Sequence, residues 1–116
     1  SLSVDELTEY KKGEKSKNMR NRVVSACKRQ QFRYKNENFI NNSQLSGKDL
    51  RFYCKLNKSD RLLLKKAIRE LGLSARAYDR ILRVARTIAD LEEDDNIKSD
   101  HLAEAIQYRR MEREMI

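Results

Sequence analysis

At 116 residues, with 39% apolar and 38% charged side chains, the chain has material for one packed domain and is short for a self-sufficient enzyme. Proline is absent and glycine occurs only three times, a composition that favours long helices over turn-rich sheets. The net charge of +8 is carried unevenly: residues 1–60 hold 14 Lys or Arg against 7 Asp or Glu, and residues 61–116 hold 12 against 11. No run approaches the roughly 18 to 20 apolar residues of a membrane span, and the opening SLSVDELTEYKK lacks the apolar centre of a signal peptide. A cytoplasmic protein with no membrane partner is the expectation.

In chain order, residues 1–15 read as a loosely ordered lead-in, 16–110 as a helical domain and 111–116 as a frayed tail. Ser16 is placed to cap a helix from about Lys17 to Tyr34, with Met19, Val23, Ala26, Cys27 and Tyr34 on one side. This segment is strongly basic. Between Lys15 and Lys35 lie eight cations and no acid, so Arg22, Lys28, Arg29 and Arg33 are candidates for binding nucleic acid through its phosphate backbone. The plainer reading is a solvated helix face.

NENFINNSQLSG is a polar loop, after which Ser46 and Asp49 open a short helix through Leu50 and Cys54. A third helix runs from about Lys58 to Leu71, with Leu63, Leu64, Ala67, Ile68 and Leu71 as its apolar stripe and Gly72 ending it in the left-handed conformation. Only Leu73 separates that glycine from Ser74, the cap of the next helix, so the two helices meet at a tight corner. On that fourth helix Arg76, Arg80 and Arg83 fall at about 0°, 40° and 340°, while Ile81, Leu82, Ala85, Ile88 and Ala89 gather between about 120° and 240°. One face is core and the opposite face cationic. The acidic run EEDD reads as a solvated helix end, and Ser99 caps a last helix to about Arg110.

Several chemistries are excluded. GEKS at Gly13 and SGKD at Ser46 lack the preceding glycine and strand of a phosphate-binding P-loop, and neither a GxSxG nor an HExxH motif occurs. Cys27 and Cys54 are not at metal-ligand spacing and read as reduced packing residues. His101 reads as part of a first helical turn, so no metal site and no catalytic residue is expected of the chain by itself.

The run LGLSARAYDRILRVARTIADLEEDDNIKSDHLAEAIQYRR resembles the C-terminal domain of the magnesium-chelatase-like AAA+ ATPases, the ComM/YifB-like family. GEKSKNMRNRV, KRQQFR and QLSGKDLRFYCKL resemble the same domain in the same order, so the likeness covers about Gly13 to Arg110. It implies an all-α lid, a small helical bundle that closes over nucleotide held by an AAA+ core of the same protein. An arginine near the start of a lid helix then reaches the terminal phosphates, and the match places that role on Arg76, with Arg80 in support. Arg83 is left as a phosphate or subunit contact. The likeness also implies ATP and magnesium as cofactors of the full-length protein, none bound by this domain alone, a homo-hexameric ring, and DNA processing linked to competence. A chelatase-type motor acting on a protein complex, or a free-standing basic module that binds nucleic acid, are the alternatives. The chain lacks the core's own motifs, as expected of an excised domain.

Overall fold

The computed structural model describes residues 4–114, with side chains from residue 15 onward. Its elements are α1 (Val4–Arg33), a 3-10 turn (Asn42–Gln44), α2 (Gly47–Tyr53), α3 (Lys58–Leu71), α4 (Ala75–Leu91) and α5 (Ser99–Glu114), with no strand among the described residues. The fold is the small all-α bundle that the composition demands.

The first helix differs from expectation in where it starts and in what it buries. It begins at Val4, upstream of the expected Lys17, and Ser16 lies inside it rather than capping it. The segment before Lys17 is rich in Glu and Lys, and a single interior glycine, costing about 1 kcal/mol, does not interrupt such a run. The expected lead-in residues Ser1, Leu2 and Ser3 lie outside the described part. Of the apolar side chains expected on the inner face, Ala26 and Tyr34 are buried, whereas Met19 and Val23 stand exposed, as does Cys27. Among the described side chains of α1 those against the bundle lie in its C-terminal part, and Met19, Val23 and Val24 have nothing to cover them.

Helix α4 is the centre of the domain: α1, α2, α3, α5 and the 3-10 turn all pack against it. Ile81, Leu82, Ala85 and Ala89 are buried and Ile88 is half-buried, the face read from periodicity. They join Leu45, Leu50, Leu64, Leu102 and Ala105 in one core. On α3 the stripe is narrower than expected, with Leu64 and Ala67 inside and Leu63 exposed.

Helix ends follow the chemistry of their caps. Asn57 accepts a hydrogen bond from the Asp60 N–H at 2.8 Å and Ser74 Oγ accepts from the Ala77 N–H at 3.4 Å. Gly72, at φ +62°, terminates α3 while the Leu73 N–H donates to Ile68 O at 2.9 Å, the geometry in which a side chain would be strained. At α5 the cap is not Ser99 Oγ, which donates to Asp60 at 2.7 Å; His101 Nδ1 accepts the Lys98 N–H at 2.9 Å instead. Helix α5 also continues past the expected Arg110 to Glu114. Arg113 donates to the Leu71 carbonyl at the end of α3, and Glu112 pairs with Arg80. These two contacts hold the last turn.

Because Ile81 is almost fully enclosed and Ile88 is not, their truncations differ. Ile81→Ala is expected to lower stability by about 2–5 kcal/mol and Ile88→Ala by about 1 kcal/mol or less, as read by urea denaturation of the circular dichroism signal.

Candidate functional site: an arginine face and a buried carboxylate

The three stacked arginines of α4 have three different surroundings. Arg80 Nη2 lies 2.7 Å from Glu112 Oε2, tying α4 to the end of α5. Arg83 Nη1 donates to the Leu45 carbonyl at 3.0 Å and so holds the turn that leads into α2. Arg76 is exposed and has no hydrogen-bond or ion-pair partner among the described residues. It is the second residue of α4, within the turn whose amide groups have no intrahelical acceptor and whose dipole end is positive. An uncommitted guanidinium at that position adds a planar, two-pronged donor to a helix end already suited to anions.

The basic helix is likewise divided. Lys28 is exposed, together with Lys15, Lys17 and Arg20. The other three candidates for nucleic acid lean on α4 and the turn after it. Arg22 Nε donates to Leu91 O at 3.4 Å, Arg29 pairs with Asp95 at 3.1 Å, and Ser25 Oγ donates to Glu93 at 3.1 Å. The acidic run therefore stays near the surface, as expected, but it is the counter-charge of α1 rather than an idle loop.

Arg33 goes furthest inward. Its guanidinium forks onto Asp90, with Nη1 at 3.1 Å from Oδ2 and Nη2 on Oδ1. Asp90 is 0% exposed and is met from a second side by Arg86 Nη2 at 3.2 Å and from a third by Asn42 Nδ2 at 2.9 Å. Asn42 is itself enclosed: its backbone N–H donates to Gln30 Oε1 at 2.9 Å and its Oδ1 accepts from Tyr34 Oη at 2.6 Å. Arg86 also donates to the Asp94 and Asp95 carbonyls at 2.8 and 2.9 Å, closing the turn after α4.

Burial alone would lower the Arg33 pKa, but hydrogen bonds to Asp90 and Tyr34 and the Asp90 charge outweigh it and hold the pKa above its usual value. Arg86 is shifted the other way, by burial first and by the like charge of Arg33, with Asp90 opposing. Burial in the adjoining core raises the Cys54 thiol to about 11, which keeps it protonated and unreactive at neutral pH. Of the two cysteines, Cys54 is the packing residue.

Glu92, Asp94 and His101 bring three ligand-type atoms together, with His101 Nε2 at 2.9 Å from both Glu92 Oε2 and Asp94 Oδ2. Since Nδ1 accepts the Lys98 N–H, the neutral ring carries its proton on Nε2 and points it at the two carboxylates. That tautomer presents a hydrogen where a metal would need a lone pair. The trio acts as a clasp between the end of α4 and the start of α5.

Sequence reasoning did not find Asp90, Arg86, Asn42 or Gln30. The i,i+4 spacing of Arg86 and Asp90 was the one available signal, and on a charged helix it is indistinguishable from a surface pair. Asn42 sits among four asparagines of the stretch from Asn36 to Asn42, and nothing local marks it as the enclosed one.

Removing the central carboxylate leaves two guanidinium groups facing one another inside the domain. Asp90→Asn is expected to cost about 3–5 kcal/mol in chemical denaturation, whereas Asp95→Asn, at an exposed pair, is expected to cost about 1 kcal/mol or less.

The sequence profile described as "Magnesium chelatase, subunit ChlI C-terminal" matches residues 13–109. A protein named YifB from Salmonella typhimurium is 43% identical over 105 residues, covering 90% of this chain and 20% of that protein. The competence protein ComM of Haemophilus influenzae is 53% identical over 72 residues, covering 62% of this chain and 14% of that protein. The chain thus spans about a fifth or less of the length of these relatives. With a helical bundle and the profile running through every one of its helices, this chain belongs to the magnesium chelatase C-terminal family, which also takes in the YifB- and ComM-like proteins.

Proposed function

We propose that this domain is the nucleotide-sensing lid of a magnesium-chelatase-like AAA+ ATPase and that Arg76 is the residue that reaches the terminal phosphate. The observation that carries this reading is the division of labour along the arginine stripe. Arg80 and Arg83 each commit a donor within the fold, to Glu112 and to Leu45 O, whereas Arg76, at the helix N-terminus, has no partner within the described residues. Arg80 and Arg83 are then positioning residues that fix α4 against α5 and the turn before α2. They support the site without touching nucleotide.

The residues present fit one phosphate group and do not fit a metal. Arg76 offers donors at a positive helix end, while the one cluster of ligand-type side chains among the described residues turns an N–H towards its carboxylates. Magnesium and the remaining phosphates belong to the core. When bound there, ATP supplies the phosphoryl bond that is cleaved. Arg76 supplies charge complementary to the oxygens on which negative charge gathers, and the state of that contact is reported by the position of the bundle. Ring assembly of the full-length protein belongs to the same proposal.

In the full-length protein, Arg76→Ala is expected to reduce steady-state ATP turnover by about two orders of magnitude or more without changing the melting of the domain. Arg76→Lys keeps the charge, loses the fork and recovers part of the rate, and Arg80→Ala acts more mildly. A folded Arg76→Ala variant with wild-type turnover would remove this residue from the site.

The second part of the reading, DNA processing, is supported by the cations of α1 that have no acidic partner among the described residues: Lys15, Lys17, Arg20 and Lys28. Arg29 and Arg33 do not belong to that set, because they pair with Asp95 and Asp90. Lys15→Glu, Lys17→Glu and Lys28→Glu combined in the full-length protein are expected to weaken binding to duplex DNA without altering any sequence preference. The slope of log affinity against log salt should fall by about three. An unchanged slope would make this face a solubilising surface.

A further inference from the structure

A trough of about 440 Å³ follows the seam of α4 and α5, lined by Val84 and Ile88 from one helix and Tyr108 and Met111 from the other, with Glu104 and Gln107. Past Val84, Ile88 and Tyr108 it runs on to Arg80, Arg83 and Thr87, so it reaches the arginine stripe. Tyr108 and Met111 are each 52% exposed, and Val84 and Ile88 are half-buried. This is apolar surface facing water, in a chain with 38% charged residues.

Other exposed apolar side chains have different settings. Lys35 and Lys55 lie over the rings of Phe32 and Phe52, 4.2 and 5.0 Å from their centres. Leu63 borders a depression shared with Lys66, Glu70 and Arg110. Met19, Val23 and Val24 lie on a single helix. The seam instead joins large apolar side chains from two packed helices, and Arg80, held by Glu112 at 2.7 Å, stands at its end.

The position of the trough selects what covers it. Arg76, Arg80, Val84 and Ile88 follow one another at intervals of four along α4, which makes them one ridge of the helix surface, about 18 Å long. Arg76 is at the start of that ridge and the trough is at its end. A folded body that presents a phosphate to Arg76 is wider than the ridge is long, so the trough lies within its reach. A nucleic-acid backbone would leave the apolar side chains uncovered. Apolar lining of this kind suits a contact that is kept, as between parts of one protein, rather than one made in passing. The relatives have material for it, since most of their length lies outside the matched region.

We propose that this trough is the seat of the domain on the nucleotide-holding core of the same polypeptide. An apolar ridge of the core enters between α4 and α5 over Val84, Ile88, Tyr108 and Met111, and Arg76 is left at the edge of the contact, facing the phosphate. The inference rests on the lid reading of the domain, but it needs no rate effect from Arg76.

The test introduces a reporter thiol by Met111→Cys in a Cys27→Ser background. Its rate of reaction with N-ethylmaleimide is followed in the 116-residue protein and in the full-length protein, by mass spectrometry of the peptide that carries position 111. Reaction is expected to be slower in the full-length protein by at least about tenfold. Tyr108→Cys behaves alike, whereas Lys65→Cys, exposed on α3, reacts at one rate in both. Adding Arg76→Ala lowers ATP turnover and leaves position 111 protected. The proposal is overturned if position 111 reacts equally fast in the two proteins, or if Lys65→Cys is slowed as much. Protection that vanishes when the full-length protein is diluted to its monomer assigns the trough to a second copy and overturns it too. Wild-type turnover in the Arg76→Ala variant with position 111 still protected removes the phosphate contact and supports the seat.

Discussion

One carboxylate without access to water, Asp90, determines how three separate parts of the chain sit together. Arg33 reaches it from α1, Asn42 from the 3-10 turn and Arg86 from α4 itself. A charge in that position is costly unless every lone pair finds a donor, so the gain in stability over a well-packed apolar substitute is small. What the carboxylate contributes is direction. A guanidinium fork accepts one relative placement of two helices, and any slippage of α1 along α4 leaves Asp90 unpaired in the interior. The described apolar contacts of α1 and the residue that follows it, mainly Ala26 and Tyr34, do not impose such a register by themselves.

The distribution of charge along the chain has a structural meaning in this light. The acid-free stretch of α1 and the acid-rich turn after α4 are the two halves of one contact, brought together across more than sixty positions by Ser25–Glu93 and Arg29–Asp95. Basic residues that look equivalent in the sequence fall into two groups: those turned toward this contact and those left facing water. The same division occurs on α4, where two of three stacked arginines are internal fasteners. In both helices the residues available to a ligand are those that remain after the fold has taken its share.

The apolar architecture was legible from periodicity and capping because those signals are local. Ile81, Leu82, Ala85 and Ala89 recur at helical spacing, Gly72 stops α3, and Ser74 starts the helix it was expected to start. The polar architecture was not legible, because it is made by residues far apart. Nothing near Asn42 distinguishes it from its neighbours, and the pairing of Arg33 with Asp90 depends on how α1 crosses α4. The start of α1 was missed for a different reason: Gly13 and a charged run resemble a boundary, but a long helix tolerates both. Arg76 is singled out by family likeness, and the structure adds that its neighbours on the stripe, Arg80 and Arg83, are engaged within the fold.

The corner between α3 and α4 has a mechanical consequence. With the end of one helix and the cap of the next separated by Leu73 alone, there is no slack through which α4 can turn while α3 stays still. The clasps at Glu112 and His101 bind α5 to the same body. Helix α4 is about 25 Å long, so a tilt of roughly 10° about Arg76 displaces its far end by about 4 Å. That end bears the acidic turn on which α1 rests. A tilt of that size would move the far end of α4 by the width of a side chain.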